Sequence, residues 1–148
     1  MHWTELVLTV PAGLTVLAAG ISDIVKREAS NVFAILLAIN GIFLTAVRCF
    51  LYGAAASILN SAAGAGAAFI LIYIFYRKEG VGGADVKILT ALGMITGIGK
   101  LAETLLVIFL TAAAVLLPVS IIKKKNSGFP LLPFVFAGYL YYFLTSLI

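Results

Sequence analysis

Six carboxylates supply most of the acid–base capacity of this 148-residue chain near neutral pH: Asp23, Asp85, Glu5, Glu28, Glu79 and Glu103. Only two are aspartates. With one His (His2) and one Cys (Cys49), an internal disulfide, a Cys/His zinc site and a Cys–His nucleophile pair are all excluded. A Ser-His-Asp triad would have to recruit His2 from the N-terminus. Acid–base work therefore falls to these six carboxylates, and no metal or organic cofactor is expected.

The sequence around each aspartate is distinctive. Gly80-Val81-Gly82-Gly83-Ala84-Asp85-Val86-Lys87 sets a glycine cluster beside an acid at the start of an apolar run. Clustered glycines give irregular backbone that neighbours approach closely, and at a membrane edge such backbone is tolerated only where protein or water covers it. Taken alone, the segment fits either a functional loop or a solvated loop whose Asp85 serves as a helix N-cap. The other aspartate closes an apolar run in Ser22-Asp23-Ile24-Val25-Lys26-Arg27-Glu28-Ala29-Ser30-Asn31. Lys26 and Arg27 stand three and four residues beyond it, so a boundary ion pair worth a few tenths of a kcal/mol is the plain reading. An acid at a helix C-terminus opposes the macrodipole and costs a little. Ser30 and Asn31 are natural N-caps for whatever helix follows.

The elements that position these residues are membrane helices. The chain is 63% hydrophobic and 11% charged, against about 45–50% and about 25% in soluble domains. This excludes a soluble globular protein, a disordered chain and a nucleic-acid-binding module. Six apolar segments stand out, at about 6–25, 32–51, 54–76, 86–99, 101–122 and 131–148. The expected fold is therefore all-α, one polytopic membrane domain over 1–148 with about six transmembrane helices. The first segment has its basic residues after the apolar run, so it reads as a retained helix rather than a signal peptide. Small residues four apart on the third segment (Ala62/Gly66 and Gly64/Ala68) suit close helix packing.

Charge sets the sidedness. Lys26, Arg27, Arg77, Lys78, Lys87, Lys123, Lys124 and Lys125 fall on one side, against Arg48 and Lys100 on the other. The positive-inside rule then makes the first, third and fifth connections cytoplasmic and puts both termini outside. Counted at 1.5 Å per residue, Asp23 lies about 28 Å from Thr4 and Asp85 about 22 Å from Gly99, in a core about 30 Å thick. The two aspartates reach a similar depth near the cytoplasmic boundary.

Asp23 followed eight residues later by Asn31, a third segment closed by Arg77-Lys78, then Gly82-Gly83-Ala84-Asp85-Val86-Lys87 and Ala91-Leu92-Gly93, resembles the type IV prepilin peptidases. These are membrane aspartic proteases marked by a GxGD motif. Phe129-Pro130-Leu131-Leu132-Pro133-Phe134, with Gly138 after it, is similar to their C-terminal element. The resemblance spans nearly the whole chain and is closest to the small members, with only a catalytic core, that serve Tad/Flp-type pili. Two departures stand out: Ala84 where the pattern has Gly, and Ala29-Ser30 where the family has Ile-Pro before the Asn. The family's Cys-rich methyltransferase domain has no counterpart among these residues.

The resemblance implies an aspartic endopeptidase of the inner or plasma membrane that cuts the basic leader of a prepilin or pseudopilin after a Gly, next to the substrate's hydrophobic helix. Asp23 and Asp85 are the expected catalytic residues. Gly82, Gly83, Ala84, Lys87, Lys26, Arg27 and Asn31 are the expected active-site loop or substrate-binding residues. The helix dipoles suggest Asp85 as the ionised base and Asp23 as the proton donor. Lys87, Lys26 and Arg27 suit either an acidic group of the substrate or anionic lipid headgroups. Membrane lipids are therefore expected partners, and nucleic acid is not. Two other readings stay open. An ion-coupled transporter or channel subunit would place its acids near the bilayer midplane. A catalytically silent pilus or secretion assembly factor would carry the same aspartates without using them.

Overall fold

A computed structural model describes residues 3–26, 31–76, 83–122 and 131–147. The described residues are helical apart from Gly53 and Leu131. The helices are α1 (Trp3–Lys26), α2 (Asn31–Tyr52), α3 (Ala54–Tyr76), α4 (Gly83–Ile122) and α5 (Leu132–Leu147). The first four contain stretches long and apolar enough to cross a membrane, and α5 is a shorter apolar helix. Large apolar side chains cover the outer surface as well as the core: Phe43, Leu59, Ile70 and Leu110 are all more than 60% exposed. Helices apolar on every face belong in lipid. Their threonines are accommodated locally. Thr45, Thr90, Thr104 and Thr111 each donate a hydroxyl proton to the carbonyl four residues back, so these four hydroxyls need no water at that depth.

Helix α4 is the central element and is not one rod. Its 40 residues would run about 60 Å if straight, twice the thickness of a bilayer core. Regular geometry breaks at Gly97, where φ is 69° and ψ is 169°. Contacts with α2 climb along the first arm: Lys87 meets Asn31, Met94 packs at Gly41 and Ile95 meets Arg48. Contacts with α5 run backwards along the second arm, Lys100 meeting Thr145 and Ile108 packing at Gly138. The first arm is thus parallel to α2, the second is antiparallel to α5, and the chain folds back at Gly97. A glycine is required there because φ is positive and a Cβ would collide with the Asn60 side chain. The expected boundary near Gly99 and Lys100 lies just beyond the actual break.

The first arm supplies the core. Ile88, Leu89, Leu92 and Ile95 have essentially no exposure. Against α3 the two backbones nearly touch, because a Cβ on Gly64 would strike the Gly93 carbonyl and one on Gly93 would strike Gly64 and Ala68. Of the two small-residue pairs on α3, Gly64/Ala68 is the buried one. Ala62 and Gly66 face outward. Helix α1 packs on α2 and α5 rather than on α4.

Candidate active site

Asp85 sits in the first turn of α4, half-buried, directly before the buried Val86, Ile88 and Leu89. Its backbone is therefore carried by the most buried helix of the molecule. Ala84 lies inside the helix, one residue after its start, and among the described glycines Gly53 and Gly97 have positive φ. The alanine that departs from the GxGD pattern thus occupies a conformation any residue adopts. Gly83 is the exposed first residue of α4.

Asp23 occupies the last turn of α1 and is 7% exposed. Its Oδ2 accepts the backbone N–H of Leu132, the first residue of α5, at 3.2 Å. Beneath it the α5 backbone at Leu132 and Pro133 lies against Gly20, which brings the start of α5 onto α1. The carboxylate therefore caps one helix N-terminus while ending another helix, and the two dipoles act on it with opposite sign. Helix ends alone do not rank the two aspartates as donor and base.

Lys87, exposed on the first arm, donates to Oδ1 of Asn31 at 2.9 Å, tying the start of α4 to the start of α2. Below this bond an apolar groove of about 450 Å³ runs between α2, α3 and the first arm, lined by Ala34, Ala38, Ala65, Phe69, Ala91 and Met94. Small side chains make it a channel rather than a filled interface. The end of α1 and the starts of α2, α4 and α5 thus gather at one end of the bundle. Asp23 and Asp85 both belong to this end, on helices with α2 and α5 packed between them.

Comparison with known families matches residues 11–121 to the type IV leader peptidase family. The chain belongs to this family. A search of curated proteins and a search of solved structures each returned no match. The matched leader-peptidase region contains both aspartates, Asn31, Lys87 and the glycine segment. Among the expected site residues, Gly82 and Arg27 lie outside the described residues, and Lys26 is placed only as the last residue of α1.

At the opposite end of the bundle a polar cluster binds four helices. Arg48 on α2 donates from Nε to Glu5 of α1 at 3.0 Å, from Nη1 to the Ile95 carbonyl at 2.8 Å and from Nη2 to the Tyr142 hydroxyl at 2.9 Å. The Ile95 carbonyl lies two residues before the break at Gly97, where the regular i to i+4 ladder stops. Asn60 of α3 serves the other side of that break, its Oδ1 accepting the Ile98 N–H at 3.1 Å. Arg48 caps the outgoing arm and Asn60 caps the returning one. From the sequence Arg48 reads only as one of the two basic residues on the far side. The signal that it does more is its position within an apolar helical run.

Proposed function

We propose that this member of the leader peptidase family is an aspartic endopeptidase that removes the basic leader of a prepilin-like protein, cutting after a Gly at the cytoplasmic membrane face. Asp23 and Asp85 act as one unit, a carboxylate that activates water and a protonated partner that polarises the scissile carbonyl. The family match across the segment holding both aspartates carries this reading. The gathering of both at one end of the bundle supports it, since a transporter site near the midplane would not be placed so. The apolar groove beside Asp85 offers a path for the hydrophobic helix that follows the cleavage point, and Lys87 at its mouth suits an acidic group of the substrate.

The same reading gives the protein six crossings of the inner or plasma membrane, α4 supplying two, with both termini outside. Single cysteines at Ser127 and at Gly53, in a Cys49→Ser background, then label from opposite faces, and labelling of both from outside overturns the orientation. The residues present do not include the paired cysteines of the family's methyltransferase domain. The product therefore carries a free, unmethylated N-terminus when this chain acts alone. A 14 Da increment in the product, dependent on this protein and S-adenosylmethionine, contradicts that. The function itself is tested by co-expression with a candidate substrate bearing a basic leader and a Gly before an apolar helix. A mobility shift is expected with the unmutated chain and none with Asp85→Asn.

A further inference from the structure

The end of the bundle opposite the aspartates holds a second, larger cavity of about 550 Å³ that is open to the outside. Glu5, Arg48, Asn60, Thr96, Lys100 and Thr145 are among its lining residues. It holds two cations against one anion, and Glu5 is already engaged by Arg48 at 3.0 Å. Donor capacity remains after the internal bonds are counted. Arg48 uses three N–H groups of the five a guanidinium carries. The Lys100 ammonium is directed to Thr145, at 2.9 Å from its carbonyl and 3.4 Å from its hydroxyl, which leaves at least one proton for another acceptor. Thr96 turns its hydroxyl proton onto a carbonyl of its own helix, so it offers lone pairs rather than a proton and does not neutralise the surplus.

The depth of this cavity is set by its neighbours. Tyr52, 58% exposed, lines it, and Trp3, 80% exposed, opens the helix that carries Glu5. Exposed Trp and Tyr mark the headgroup level of a bilayer. Arg48 and Lys100 are also the two cations that the positive-inside pattern leaves on the far side. A hydrated phosphate at that level meets a cationic cavity whose walls are already rigidly bonded, and charge-assisted bonds to phosphate are the stronger kind.

We propose that this cavity binds a phosphate oxyanion between Arg48 and Lys100, presented either by an anionic lipid headgroup or as free phosphate. The site is separate from the proteolytic end, and its existence does not depend on the peptidase mechanism. Basic pockets between membrane helices hold anionic headgroups by the same chemistry.

The test uses the full chain in detergent with three probes: dioleoylphosphatidylglycerol, dioleoylglycerol, which has the same chains without phosphate, and sodium phosphate. Acetylation of Lys100 in the unmutated protein, followed by mass spectrometry, is slowed about tenfold by phosphatidylglycerol and not by dioleoylglycerol. Protection equally strong with sodium phosphate alone assigns the site to the free oxyanion. Protection that requires the lipid assigns it to the headgroup. Lys100→Gln, which retains a donor for Thr145, weakens phosphatidylglycerol binding in native mass spectrometry about tenfold, and Lys100→Arg restores it. Acetylation rates that neither phosphatidylglycerol nor sodium phosphate lowers below the rate with dioleoylglycerol overturn the proposal, as does unchanged phosphatidylglycerol binding by Lys100→Gln.

Discussion

The two ends of the bundle handle buried charge in opposite ways. At the far end Glu5, Arg48, Tyr142 and the Ile95 carbonyl are bonded to one another across α1, α2, α4 and α5. At the near end the acids sit on separate helix ends. Asp23, 7% exposed, accepts the Leu132 backbone N–H, Asp85 is half-buried on the first turn of its helix, and Lys87 is exposed and bonded to Asn31. A multiply bonded polar set fixes geometry, because removing one member strands its partners. The first arm of α4 joins the two ends, so the far cluster anchors the helix whose other end presents Asp85.

Substitutions at each end of the bundle have different expected effects. The largest effect is on catalysis. Asp23→Asn and Asp85→Asn each lower the cleavage rate by about 10²–10⁴-fold and leave the protein folded and inserted, as read by a processing assay beside a thermal melt. Arg48→Met does the reverse. It strands Glu5 and leaves the Ile95 carbonyl only the longer bond from the Tyr142 hydroxyl, lowers stability by about 3–5 kcal/mol, and is read as a fall in Tm in detergent. Undiminished stability in that variant would remove the contrast between the ends. Asn60→Ala loses the cap after Gly97 and costs about 1 kcal/mol, visible in the same melt. Lys87→Gln raises KM for the substrate several-fold with little change in kcat, since it removes a cation from the groove mouth and leaves the aspartates in place. Glu28→Gln and Glu79→Gln are the smallest changes and retain most activity.

Much of the fold was legible in the sequence because lipid imposes simple rules. Apolar runs of span length announced the helices, and the all-helical class follows from them. The break in α4 was foreshadowed by the glycines around residues 97–99, although only the structure places it at Gly97, where Asn60 leaves no room for a Cβ. Gly64 and Ala68 were legible as a packing pair. The equally good pair Ala62 and Gly66 faces outward, since spacing alone does not say which face meets a neighbour. The long-range polar contacts were not legible. Arg48 and Glu5 lie 43 residues apart, and Asp23 and Leu132 lie 109 apart. No local pattern encodes which helices become neighbours. The Asp23 contact also shows why a dipole reading of one helix fell short, since a second helix begins at the same carboxylate.

We propose Asp23 and Asp85 as one catalytic unit, although they arrive on helices with α2 and α5 packed between them. The residual cleavage rate of the Asp23→Asn/Asp85→Asn double variant beside the two single variants, measured on one substrate in membranes, decides this. Residues that act as a unit give non-additive losses, so the account predicts a double variant no slower than the slower single one. Losses that multiply, or substantial cleavage by either single variant, would contradict it.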